Sequence, residues 1–408
     1  MSPKSFLVGA SRVEITPPLA AGILMSAVER QWAPFAGVRQ PLYARALVVE
    51  QDKRRVALVS LDLLGLAGKA LGGRRRFKSQ IIAAAGQALK ATDLILAATH
   101  THSAPESLAI TGLYRTPAFK EWTAWLAGQI GTAIHQAMTA MRPCQLMLGA
   151  AQAPGLAIYR RIKTTAGIVL SHPPPPPETV ISREGPVDDS VNIAAFTAES
   201  NQLVALIVNA TCHPVHEMCI PQISPDYPGE MSLELERRYP GLAALFLNGA
   251  AGNINPPTVS GGPAEAERHG QRLAEVVAGS LDRLRSVEST GLALRRRAVA
   301  LPARALSGKP AAKPMTTEIA ALCLGEAAFL FIPGELFVEI GLSIRQRSPY
   351  DFTAIVGYAE DAIGYLPTDL AFAEGGYELG PGPWARVGRG SEEILQREAT
   401  VLLRETWG

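Results

Sequence analysis

The sequence predicts an α/β fold: one mixed sheet layered with helices, forming a single large domain over residues 1–408. Three observations carry this. Short apolar runs alternate with amphipathic stretches along the whole chain, which favours layered helices and strands over either alone. Charged residues make up 19% and hydrophobic residues 47% of the chain, the balance of a globular core with a solvated surface. No compositional break divides the chain, and no internal repeat is present.

The elements follow in order. "RRVALVSLDLLG" (54–65), "DLILAAT" (93–99), "QLVALIVNAT" (202–211) and "AALFLNG" (243–249) are nearly continuous apolar runs of strand length, so they read as buried strands. "FKSQIIAAAGQALK" (77–90) reads as a helix. In "FKEWTAWLAGQIGTAIHQAMTAM" (119–141), Trp122, Leu126, Ile130, Ile134 and Met138 recur every four residues, with Trp125 and Ala133 beside them, giving a helix one apolar stripe. "AEAERHGQRLAEVVAGSLDRL" (264–284) and "SEEILQREATVLLRET" (391–406) are further helices. The basic run Arg74-Arg75-Arg76 with Lys78 is expected at a helix start, as a solvated face. Residues 165–190 contain five consecutive prolines, Pro173 to Pro177, which lack backbone donors and predict a surface loop. "SGKPAAKP" (307–314) predicts a second loop.

Composition excludes several classes of function. A net charge of +2 gives no reason to expect nucleic acid or an anionic membrane as partner. No window approaches the ~18 apolar residues of a membrane span, and the N-terminus lacks the apolar core of a signal peptide. Four cysteines in so long a chain do not make a disulfide scaffold, and a cytoplasmic location is the expectation. Cys212 and Cys219 fit no familiar zinc spacing and are expected to be small buried residues.

Donors for a site concentrate where apolar runs end. His100 and His102 in "ATHTHSAP" share one face if the strand continues. They can serve as ligands, as a general base, or as a hydrogen-bonded pair. His213 and His216 follow the next apolar run, in "NATCHPVHEMC", where Pro214 argues against a helix. In "FLFIPGELFVEIG" a third run passes through Pro333-Gly334 to Glu335, expected to open a helix. "VGYAEDAIGYLPTDLAFAEGGYE" (356–378) adds tyrosines in a Gly- and Tyr-rich loop. In open α/β sheets, sites form beyond the carboxyl ends of strands. A catalytic zinc takes three protein ligands and keeps a position open.

The ordered set "GASRVEITPP", "VSLDLLG", "ATHTHSAP", "NATCHP", "SPDYPGE", "NGAAGNINP", "IPGE" and "GYLPT…GGYE" resembles the catalytic domain of neutral ceramidases, zinc amidases that cleave the N-acyl bond of ceramide. The resemblance runs from residue 8 to about 378 and implies an α/β catalytic domain without the family's C-terminal β-sandwich. It implies zinc on His100, His213 and Glu335, with Tyr365 as fourth ligand or Tyr377 in its place. His102 would then face the scissile group, with Arg160 or Arg161 beside it. The family's serine is replaced by Asn255, which cannot act as a nucleophile but can donate to an oxyanion. Glu106 stands where the family has glycine and, as a carboxylate beside the site, implies a substrate more polar than ceramide. Glu106, His216 and Tyr377 are accordingly expected to contact substrate. The expected activity is hydrolysis of a linear N-acyl amide by zinc-activated water. The alternatives are a lactonase or esterase using the same metal, or a binding or scaffold protein that keeps the fold. The expected partner is a small-molecule amide, with neither nucleic acid nor stable membrane insertion.

Overall fold

The computed structural model describes residues 6–87, 89–288, 291–304 and 313–406. Eight strands form the main path of a large mixed sheet: β1 (Phe6–Glu14), β2 (Tyr43–Gln51), β3 (Arg54–Leu61), β4 (Leu94–Ala98), β5 (Arg142–Gln152), β6 (Ser190–Ala198), β7 (Leu203–Ala210) and β8 (Ala243–Asn248). Their spatial order is β8-β7-β6-β5-β1-β2-β3-β4, with Arg285–Val287 added beside β5. The pairs β3/β4 and β7/β8 are parallel, whereas the strands between them are antiparallel. A second sheet contains β9 (Leu292–Leu301), β10 (Met315–Leu324), β11 (Ala327–Phe331) and β12 (Phe352–Val356), and its β11/β12 pair is parallel.

Side-chain alternation explains the layers. Ala44, Ala46 and Val48 of β2 face α1 (Arg74–Ala84) and α2 (Pro117–Thr139), while Leu206 and Val208 of β7 face α3 (Asp226–Arg238) and α4 (Pro263–Ala278). On the opposite face, Leu47, Val49 and Ile207 pack against Leu322, Phe329 and Ala354 of the second sheet. The outer side of that sheet is covered by α5 (Val338–Gln346) and α7 (Ser391–Thr406), with α6 (Asp369–Glu374) nearby. The order is helices, sheet, sheet, helices. Strands covered on both faces read as nearly unbroken apolar runs, as Leu94–Ala98, Leu203–Ala210 and Ala243–Asn248 do. The predicted α/β class is therefore shown, with two sheets where one was expected.

Several local expectations need correction. Residues 77–90 are helical only to Ala84, and 264–284 only to Ala278, after which Arg285–Val287 joins the large sheet. The basic run starts α1 with Arg75 and Arg76 exposed as expected, but Lys78 is buried on Glu360 and Arg74 pairs with Glu318. Trp125 is half-exposed, while Trp122 fills the core. Cys212 is buried but Cys219 is exposed. The 165–190 segment is not all loop: Gly167–Leu170 and Val180–Ser182 flank Arg161–Thr164 in a small antiparallel sheet. Of the predicted loop 307–314, residues 307–312 lie outside the described residues. No helix among the described residues is long and apolar enough to cross a membrane.

Candidate metal centre

Parallel strands bring the candidate donors to one edge. His100 follows β4, His213 follows β7, Glu335 follows β11 and Tyr358 follows β12, each just beyond a carboxyl end. A bridge between Ala97 and Ala359 joins the two sheets beside them. Glu335 does not open a helix: with Leu336 it forms a short parallel pairing with Tyr365 and Leu366, and α5 begins only at Val338. A helix dipole therefore does not explain Glu335.

The ring orientations decide what the centre can hold. His100 Nδ1 lies 2.6 Å from the Leu64 carbonyl, and His213 Nδ1 lies 2.6 Å from that of Ala251. A carbonyl only accepts, so both Nδ1 atoms carry the proton and both Nε2 atoms present lone pairs. These lone pairs face inward. Glu335 Oε2 lies 3.5 Å from His100 Nε2 and 3.3 Å from His213 Nε2, and His102 Nε2 lies 3.4 Å from His100 Nε2. Glu335 Oε2 is buried without a hydrogen bond. Burial raises the Glu335 pKa, and what would hold the carboxyl low is positive charge facing it, which neutral rings do not supply and a cation would. Burial also pushes the His213 pKa down to about 4, with the Arg160 charge adding to it. An ionised, orphaned carboxylate beside proton-free ring nitrogens lacks a positive charge at its centre.

The spacing fits a cation. Zinc–nitrogen bonds of about 2.0–2.1 Å in a tetrahedron separate neighbouring ligand atoms by roughly 3.3 Å. The observed separations of 3.3 to 3.5 Å match that value. His100, His102 and His213 together offer ligand atoms within 4.8 Å of one another. His102 therefore stands in the donor cluster as well as on the cavity wall.

The cavity in front of the cluster, about 230 Å³, is polar at one end and apolar along its sides. Its polar end carries His102, His213, Arg160, Asn255, Tyr365 and Tyr377, and its sides include Leu24, Met25, Leu170, Val215 and Met218. Arg160, rather than Arg161, reaches this end: its Nη1 lies 3.3 Å from His213 Nε2 and 3.4 Å from Asn255 Oδ1. Arg161 turns to Glu378 and Glu374. Arg160 Nη2 is buried without a partner. Tyr365 is the backbone neighbour of Glu335 and lies under the Arg160 guanidinium, while Tyr377 stands 6.1 Å from it between ring centroids.

Two predicted substrate contacts are placed elsewhere. Glu106 is fully buried, and its carboxylate accepts from the backbone of Leu108, Ile110 and Thr111 and from the Thr111 hydroxyl. It pins its own loop, and the argument for a polar substrate goes with it. His216 turns away to bond Thr258 and His269 beside a different cavity.

Other residues here went unnoticed in the sequence. Tyr358 stacks on His100 at 4.0 Å, and its hydroxyl is buried without a partner. Asn248 ends β8 and donates to the carbonyls of Thr99 and Cys212, the residues before His100 and His213. One amide thus fixes both histidine loops. Gly252 lies so close to Glu335 that an added Cβ would stand 2.4 Å from its carbonyl oxygen. Gly252→Ala is expected to displace Glu335 and weaken metal binding roughly 10–100-fold, the usual effect of disturbing a ligand's support. Competition with a chelator measures this, and circular dichroism confirms that the fold is retained.

Comparison with known proteins points the same way. Residues 6–166 match the family model described as neutral/alkaline non-lysosomal ceramidase, N-terminal. The neutral ceramidase of Pseudomonas aeruginosa is 26% identical over 263 residues, which is 61% of this chain and 36% of that protein. The aligned part thus spans about a third of that relative's length. The crystal structure of neutral ceramidase from Pseudomonas aeruginosa superposes with a TM-score of 0.78 at 19% identity, covering 98% of this chain and 75% of that one. A ceramidase structure described as complexed with C2 superposes equally well, with the same identity and coverage. At that identity these superpositions show the fold alone, and the resemblance read from the motifs rests on the family model and the sequence relative.

Proposed function

We propose that this chain is a metal-dependent hydrolase of N-acyl amides, with a zinc-type cation held by His100, His213 and Glu335 and completed by Tyr365. The observation that carries this is the convergence of two proton-free Nε2 atoms on an orphaned, ionised carboxylate oxygen. When bound, the metal supplies Lewis-acid polarisation of a carbonyl and activation of water. The protein's own side chains do the rest. Arg160, held by Glu378 through Nε, keeps one guanidinium nitrogen unpaired for charge developing on the acyl oxygen. Asn255 offers a neutral donor beside it. His102, whose pKa burial and its neighbouring histidines push well down, is neutral at pH 7 and so able to take a proton from the attacking water and return it to the leaving amine. The apolar side walls favour an acyl chain, which agrees with the name of the relative, neutral ceramidase.

The test combines metal analysis of purified protein with a panel of fatty-acyl sphingosine, acyl amino acids, small peptides and matched esters and lactones. One metal per chain and turnover of an amide with an apolar acyl group are expected. Protein without metal, or turnover of esters alone, contradicts the reading. His102→Ala separates two roles for that residue. Retained metal with lost activity marks a proton carrier, and lost metal marks a ligand.

A further inference from the structure

Ser171 and His172 lie where the strand Gly167–Leu170 gives way to the proline run. The His172 ring is fixed on both sides: Nε2 lies 3.0 Å from the Pro257 carbonyl oxygen and Nδ1 lies 3.0 Å from Ser171 Oγ. Burial lowers the His172 pKa, so the ring is neutral at pH 7. Because a carbonyl only accepts, Nε2 carries the proton and Nδ1 is a lone pair. Ser171 Oγ must then donate to Nδ1, and it accepts from Asn255 Nδ2 at 3.4 Å. At the other end Arg160 can only donate, and its Nη1 faces Asn255 Oδ1 at 3.4 Å.

Two fixed ends determine every role between them. Arg160 donates to Asn255, Asn255 to Ser171, Ser171 to His172, and His172 to Pro257. Only one orientation of the Asn255 amide satisfies this chain. An amide nitrogen has two N–H donors, and Ser171 takes one. Asn255 and His172 line the cavity, and Ser171 stands behind them, itself buried.

We propose that Ser171 and His172 are positioning residues that lock Asn255 so that its second N–H faces the acyl oxygen of a substrate in the cavity. The consequence for catalysis rests on the hydrolase reading above, whereas the direction of the chain does not. The proline-rich segment is thereby given a purpose, since it delivers both residues to the site.

Side-chain ¹⁵N NMR of the intact protein reads the direction without turnover, and His172 is expected as the Nε2–H tautomer. An Nδ1–H tautomer overturns the proposal whatever the protein hydrolyses. With p-nitrophenyl butyrate as probe, Asn255→Ala is expected to lower kcat on the order of 10²-fold, the effect of losing an oxyanion donor. Ser171→Ala is expected to lower kcat roughly tenfold with KM nearly unchanged, because an interaction made in the transition state is weakened. The double variant is expected to be no slower than Asn255→Ala alone, since Ser171 acts only through that amide. Losses that multiply, or a fluorophosphonate adduct on Ser171, overturn the proposal: the first shows separate action, the second a nucleophile.

Discussion

His213→Ala is expected to remove the metal and the activity together. Zinc sites of four ligands bind with about 10–16 kcal/mol, so one ligand accounts for ~2.5–4 kcal/mol, or about two to three decades of affinity. His213 contributes more than a lone pair. Its Nδ1 faces the carbonyls of Ala251 and Ile254, tying the loop that carries Asn255 to the loop that follows β7. Truncation loses this tie at about 0.5–1.5 kcal/mol, since the Ala251 and Ile254 carbonyls keep the backbone amides of Ile254 and His213 as donors. Metal content and turnover of the same preparation check the expectation, with His216→Ala as control. His216 is equally buried and three residues away, but it faces Thr258 and His269, so its loss should leave the metal in place. A His213→Ala protein with full metal would remove this residue from the ligand set.

Glu360→Ala is expected to cost about 3–5 kcal/mol of stability, the penalty for breaking a buried ion pair and stranding its partner. Glu360 Oε2 lies 2.6 Å from Lys78 Nζ and also pairs with Arg296, while Oε1 accepts from the Leu96 amide of β4. Its removal leaves two cations beside one another, with Lys78 nearly inaccessible. The pH dependence follows. Burial would raise the Glu360 pKa, but Lys78 and Arg296 outweigh it and bring it from 4.5 down to about 2. A folded-state pKa below the unfolded one stabilises above pH 4.5, and that contribution is lost as pH falls from 4.5 towards 2. Urea unfolding across this window should show a slope in the wild type that Glu360→Gln lacks. An unchanged slope would assign the acid sensitivity to other carboxylates.

Strands such as Arg54–Leu61, Leu94–Ala98, Leu203–Ala210 and Ala243–Asn248 could be read from the sequence because layers on both faces demand continuous apolar runs, and 391–406 kept its predicted limits because Leu395, Ala399, Leu402 and Leu403 give it one packed apolar face. The second sheet was not visible, since a face packed on a sheet and a face packed on helices select the same residues. His100, His213 and Glu335 stood out as polar groups directly after such runs. Tyr358 did not, because only the pairing of β11 with β12 carries it onto His100. Asn248 was equally hidden: an asparagine ending a strand is common, and its two acceptors lie far away in sequence. Glu106 and His216 misled for the opposite reason. Each lies close to a donor in sequence, but local backbone demand claimed the carboxylate of Glu106, and Thr258 and His269 claimed the buried ring of His216.

The centre also lies on a seam. His100 and His213 leave the large sheet, whereas Glu335 leaves the second one, and the bridge between Ala97 and Ala359 is close by. Any cation gripped by all three becomes a rivet between the two sheets. Its binding free energy is then also docking energy, and stripping it should lower the melting temperature by mass action. Loosening should begin at that edge, so amides after β4, β7 and β11 should exchange hydrogen faster as a group. Metal supply would set the durability of the protein along with its chemistry.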